Sequence, residues 1–162
     1  MALQRLQPAF RPQRGEAGRG RILYVEDDDA NWRVTERYLR SKYELRRGRN
    51  SGEAFELLSR EVFQRLLLDI ELAGSDHDGI GICRILRGIE PLPRGFTRPE
   101  WLDEAVPIVF VTAYAARYPR EELLALGGNE VVTKPVDYTR LFLVSSRLMV
   151  RRIHDSEPAR VS

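Results

Sequence analysis

Four short apolar runs recur along the chain, and each stops abruptly at polar groups. They are ILYVEDDD (22–29), QRLLLDIEL (64–72), IVFVTA (108–113) and EVVTKP (130–135). Brief apolar runs with polar bounds suit strands buried on both faces, as in a parallel sheet. Tyr43 to Arg47 reads as a short second strand, of the kind that sits at an edge. Helical spacing fills the intervals. A first helix is expected over Ala30 to Ser41, capped by Asp28 or Asp29, with Val34, Tyr38 and Leu39 inward. Asn50 and Glu53 form a capping box for a helix to Arg60, with Phe55, Leu58 and Val62 on one face. Neither this helix nor the second strand shows site chemistry. Ile80 to Arg87 follows, with Ile82, Ile85 and Leu86 inward. Pro119 can open a fourth helix, which Glu121 and Glu122 favour and Gly127-Gly128 ends. Asp137 caps a last helix over Tyr138 to His154, with Leu141, Val144, Leu148 and Met149 inward. Strands alternating with helices imply an α/β fold on a parallel sheet.

In such sheets, ligands bind beyond the carboxyl ends of the strands. Asp69 lies at that end of its run. Glu26, Asp27, Asp28 and Asp29 end the first run, Thr112 the fourth strand, and Lys134 the fifth. Side by side, these ends would gather several carboxylates, a hydroxyl and an ammonium group. Closely packed carboxylates need compensation, which a divalent cation and a lysine supply. Mg²⁺ prefers oxygen ligands. Metal, hydroxyl and ammonium together suit a phosphoryl group, with Asp69 as nucleophile forming an acyl phosphate. Each residue also has a plainer reading. Asp69 could end its strand by capping a turn, the other acids could be caps and solvated charges, and Thr112 a β-branched strand residue. His77, alone in a Gly/Asp-rich loop, reads as solvated, and Cys83 as a small packed side chain.

The acid run of ILYVEDD, the Asp of LLLDIEL, Asp78-Gly79, the Thr-Ala of VFVTAY and the Lys-Pro of VVTKPV stand in a telling order. In that order the chain resembles response-regulator receiver domains over roughly residues 21–152. The resemblance implies a doubly wound, flavodoxin-like three-layer sandwich with five parallel strands in the order 2-1-3-4-5. It implies that Asp69 accepts a phosphoryl group from a sensor histidine kinase or phosphotransfer protein. Mg²⁺ would be held by Glu26, Asp27, Asp69 and the Glu71 carbonyl, while Thr112 and Lys134 bind the phosphoryl oxygens. Lys134-Pro135 matches a pair whose peptide bond is usually cis. Output is expected through the 119–152 face, to a downstream protein or a second copy, with Arg140, Arg147, Arg151 and Arg152 making the last helix basic. Glu71 and Tyr114 are expected to flank the path of a hydrolytic water. The sequence also departs from the pattern. The loop after Asp69 is long, Val131 replaces the usual aromatic residue three before the lysine, and residues 88–106 exceed the family's usual length. Pro99 to Glu104 is expected to form a short helical turn there, packed on the body through Phe96, Trp101 and Leu102. These departures keep a rival open, a pseudo-receiver that binds partners without being phosphorylated. A phosphohydrolase reading is disfavoured, because its nucleophile belongs on the first strand.

Composition narrows the class. At 162 residues the chain reads as one domain, residues 21–154, after a flexible basic arm (1–20) and before a polar tail (155–162). No output domain is expected, so the reading is a stand-alone signalling module rather than an enzyme. A formal net charge of +2 does not call for nucleic acid. Cys83 is the only cysteine, which excludes an internal disulfide and fits a reducing, cytoplasmic setting. No run suits a membrane span or a signal peptide. Lys42 and Lys134 are the only lysines among many arginines, which makes the residue at 134 more informative.

Overall fold

The computed structural model describes residues 19–155, with side chains as far as residue 147. The expected arm and tail lie outside these residues apart from their junctions with the body. So do the side chains of Leu148, Met149, Arg151 and Arg152. The elements are β1 (Gly20–Val25), α1 (Asp29–Leu39), β2 (Tyr43–Gly48), α2 (Ser51–Arg60), β3 (Arg65–Asp69), α3 (Gly79–Leu86), β4 (Ile108–Thr112), α4 (Arg120–Ala125), β5 (Glu130–Thr133) and α5 (Tyr138–Asp155). The strands form one sheet in the order β2-β1-β3-β4-β5, parallel throughout. That is the expected doubly wound order.

Period-two alternation divides the strand side chains between two cores. Leu23, Val25, Leu66, Leu68, Ile108, Phe110 and Val131 meet Phe55, Leu58, Ile82, Ile85 and Leu86 on the α2–α3 side. Ile22, Tyr24, Leu67, Val109, Val111 and Val132 meet Leu39 and Leu141 on the α1–α5 side. Every residue of β3 and β4 is buried, which explains their unbroken apolar runs. Side-chain caps start four of the helices. Asp28, Asn50, Asp78 and Asp137 accept the N–H groups of Asn31, Glu53, Gly81 and Arg140 at 2.7 to 3.0 Å. Each cap is worth about 1 kcal/mol. The Glu53 carboxylate reaches back to the Arg49 N–H at 2.8 Å, one residue before the cap itself.

The inward face of α1 differs from the expectation. Leu39 and Thr35 are buried, whereas Val34 is 44% and Tyr38 60% exposed. Trp32, Thr35 and Leu39 sit at spacings of three and four toward the sheet. Tyr38 instead lies outside, stacked on Tyr138 of α5 with ring centroids 4.3 Å apart. The stack buries aromatic area between two helices without entering the core.

The long segment before β4 is built into the body. Leu102 and Val106 are buried, Phe96 packs on Phe55 at 4.9 Å, and Trp101 on Phe63 at 6.1 Å. Over Pro99 to Glu104 the chain makes a single turn, closed by the Leu102 N–H on the Pro99 carbonyl at 3.0 Å. Arg98 donates to the Ile85 and Leu86 carbonyls at 3.0 and 3.1 Å, satisfying the end of α3. Arg87 does the same for Gly127 and Glu104 at 2.9 and 2.8 Å.

Arg65 opens β3 with its side chain fully buried. None of its three nitrogens makes a hydrogen bond among the described residues. Burial lowers its pKa to about 10, partly offset by the Tyr43 phenol.

Candidate functional site

The register brings the strand ends together. Val25 pairs with Leu68, Asp69 with Val111, and Thr112 with Thr133. Glu26 and Asp27 therefore emerge beside Asp69, with Thr112 and Lys134 across β4 and β5. One carboxylate oxygen from each of Glu26, Asp27 and Asp69 lies within 4.8 Å of the others. The Lys134 ammonium donates to Asp69 Oδ2 at 2.8 Å and to Glu26 Oε2 at 3.0 Å. The Lys134–Pro135 peptide is cis, and the Lys134 N–H bonds the Thr112 carbonyl at 2.7 Å.

Each acid has a distinct setting. Asp69 is almost buried, and burial is the largest influence on its carboxyl, pushing its pKa up to about 6. The Lys134 hydrogen bond opposes that rise and the Glu26 charge adds to it. Burial likewise works against the Lys134 ammonium. The bonds to Asp69 and Glu26 outweigh it and hold the lysine above its ordinary pKa. Glu26 has no exposed surface, and its oxygens are well supplied with donors. Oε1 accepts the Asp28 N–H at 2.9 Å, and Oε2 accepts the Tyr24 phenol at 2.8 Å besides Lys134. Asp27 lies nearer the surface and accepts the Ala73 N–H at 3.0 Å, so the loop after β3 closes over the acids.

Glu71 donates its N–H to Asp69 Oδ1 at 3.3 Å, while its carboxylate turns outward to Arg117, also 3.3 Å away. Thr112 is buried, and its hydroxyl oxygen accepts the Tyr114 N–H at 2.9 Å. The Tyr114 ring itself is 50% exposed. His77 stands apart from the acids. Its N–H and carbonyl join Ser51 and Ser75 in a hydrogen-bond set that ties the long loop to the start of α2. Val131 is buried in the core.

Arg47 contributes to the site without any motif to mark it. Arg47 donates to the Glu26 and Asp27 carbonyls at 2.9 and 3.0 Å and pairs with Asp29 at 2.6 Å, fixing the acid run from the edge strand. Arg47 belongs to the second strand, Tyr43 to Arg47, where the sequence shows no site chemistry, so the structure corrects that expectation. Arg47 follows the alternation of an ordinary edge strand, so no sequence signal separates it from a solvated residue. Gly79 admits no side chain, because a Cβ there would land on the Asp69 carbonyl. The Asp78-Gly79 pair thus lets α3 begin directly against the backbone of Asp69.

A family model described as response regulator receiver domain matches residues 22–144. The chain belongs to that family. The receiver is 32% identical over 123 residues to the response regulator PleD of Caulobacter vibrioides, covering 75% of this chain and 24% of that protein. It is 26% identical over 121 residues to the transcriptional regulatory protein ZraR of Escherichia coli K12, covering 74% and 24%. The chain thus spans about a quarter of the length of these relatives. Among solved structures, it resembles the receiver domain of the sensor histidine kinase PA1611 from Pseudomonas aeruginosa, with 28% identity and a TM-score of 0.65. That match covers 81% of this chain and 98% of the other, which carries a magnesium ion in its active-site cleft. A CheY-like receiver from Methanospirillum hungatei matches at TM-score 0.68 and 23% identity, covering 85% and 99%. Among the described residues no helix of the receiver is long and apolar enough to cross a membrane.

Proposed function

We propose that this receiver accepts a phosphoryl group on Asp69 from a phosphohistidine of a sensor kinase or phosphotransfer protein. An Asp69 oxygen bonds to phosphorus as the P–N bond breaks, and its electron pair returns to the imidazole. The observation that carries this reading is the Lys134 ammonium 2.8 Å from Asp69, with Glu26 and Asp27 grouped around the same carboxylate. Three hard oxygen donors in so small a space fit Mg²⁺. Glu26, Asp27 and Asp69 would hold it with the Glu71 carbonyl. When bound, Mg²⁺ neutralises charge on the phosphoryl oxygens. Lys134 and the Thr112 hydroxyl would bind those oxygens, and Ala113 leaves room beside them. Signal would leave by protein contact through the 119–152 face rather than by turnover of a substrate.

The test is incubation with Mg²⁺ and a small acyl-phosphate donor, followed by intact mass. One added phosphoryl group is expected in the wild type and none in Asp69→Asn. No uptake by the wild type, under conditions that label ordinary receivers, would leave a partner-binding module in its place.

A further inference from the structure

Tyr24 is a phenol in an unusual place. It sits on β1, two residues before Glu26, and is 1% exposed. Its ring tilts against Trp32, with centroids 6.3 Å apart, so packing alone would be served by phenylalanine. The hydroxyl donates to Glu26 Oε2 at 2.8 Å, the same oxygen that accepts the Lys134 ammonium at 3.0 Å. A fully buried carboxylate therefore has two donors on one oxygen, and the second of them also holds Asp69 at 2.8 Å.

The arrangement matters when Lys134 moves. To bind a phosphoryl oxygen, the ammonium has to turn from the Glu26–Asp69 bridge. A buried charge stripped of its partners is strongly disfavoured. Without a second donor on Oε2, Glu26 would keep only the Asp28 N–H on Oε1 and would hold the lysine back. We infer that Tyr24 is a positioning residue, whose hydroxyl keeps Glu26 hydrogen-bonded while Lys134 transfers from Glu26 to the phosphoryl group. The inference rests on the phosphoacceptor reading of Asp69. In the resting state the Tyr24 bond is partly redundant, because Lys134 covers the same oxygen. In the phosphorylated state it becomes the sole side-chain donor to Oε2. Its loss should thus be felt more after the lysine has moved than before.

The test compares wild type, Tyr24→Phe, Glu26→Gln and the double variant as full-length chains with saturating Mg²⁺. Beryllium fluoride serves as the phosphoryl mimic and a small acyl phosphate as the donor. Tyr24→Phe should bind beryllium fluoride about tenfold more weakly and take up phosphoryl about tenfold more slowly, the loss of one hydrogen bond to a charged group. In the Glu26→Gln background the same substitution should change either quantity less than about threefold, because no charge is left behind when the lysine departs. A second readout uses the two-lysine composition, since Lys42 and Lys134 give only two side-chain amine signals. Addition of beryllium fluoride should shift the Lys134 signal in wild type and shift it less in Tyr24→Phe. Equal binding by wild type and Tyr24→Phe, or an equal loss in both backgrounds, would overturn the positioning role while leaving the phosphoacceptor reading intact. Wild type that neither binds beryllium fluoride nor takes up phosphoryl would overturn that reading and this inference with it.

Discussion

Asp69 and Arg65 stand at opposite ends of β3, and each carries a charge that burial disfavours. The carboxyl of Asp69 is raised to about 6 from 3.8, so the folded state prefers it protonated. The unfolded chain releases that proton at lower pH. Stability from this group is therefore highest below pH 4 and falls as pH rises through 6. Asp69→Asn should accordingly melt above the wild type at pH 7.5 without divalent cations, by an equivalent of about 1–3 kcal/mol. The difference should vanish near pH 4. Thermal melts across that range check it, and a variant less stable than wild type at pH 7.5 would refute it. Arg65 poses the same problem with less compensation, since the Tyr43 phenol offsets the burial of its guanidinium only in part. Arg65→Met keeps the stem and removes the charge, and should stabilise the protein by about 1–3 kcal/mol. Equilibrium denaturation measures this directly. Cys83 presents the opposite case, a group silenced by burial. Its thiol is pushed up to about 11, so thiol reagents at pH 8 should label it only after denaturant is added.

At the scale of elements, burial and capping follow from local spacing, and the sequence carries both. Asp28, Asn50 and Asp137 start helices because the free N–H groups of a first turn need an acceptor nearby in the chain. The facing residues of α2 and α3 likewise obey their own period. The inward face of α1 was not legible. Val34 and Tyr38 are apolar enough to suggest a core face, but a partner across the surface, Tyr138, takes the ring instead. That choice depends on a residue a hundred positions away. For the same reason the acid cluster was legible as motifs, whereas Arg47 and Tyr24 were not. Both act through contacts that alternation alone does not encode. Gly79 stands between these cases. The Asp78-Gly79 pair was visible, but its reason, close approach to the Asp69 carbonyl, belongs to the packing. Gly79→Ala should push α3 from β3, destabilise the fold by about 1–3 kcal/mol and slow phosphoryl uptake on Asp69. Denaturation and intact mass would show the two effects together, and unchanged uptake would separate the glycine from the site.

For the whole molecule, the site lies at the mouth of two connections, one from β4 to α4 and one from β5 to α5, that lead to the face proposed for output. Thr112 begins the link from β4 to α4, and its hydroxyl accepts the Tyr114 N–H. Lys134 begins the link from β5 to α5, and its ammonium is tied to Glu26 and Asp69. A phosphoryl group on Asp69 would recruit both side chains, so both links would be drawn toward one point. The helix between them is short, held to the core through Leu123 and to β5 through the Arg120–Glu130 pair. α4 has six residues and no side-chain cap at its start, where Pro119 stands. A short, uncapped helix is an element that a small force at its leading loop can shift. At the far edge of the sheet, β2 and α2 meet the site through Arg47, the Gly48 carbonyl that accepts the Glu26 N–H, and the serine-bound loop, and neither places a side chain beside Asp69 among the described residues. Hydrogen exchange should therefore change on addition of beryllium fluoride and Mg²⁺ in residues 113–126 and 134–141. Residues 43–60 should exchange as before. An equal response on both sides of the sheet would mean that the site tightens the whole fold, and the output face would then need another origin.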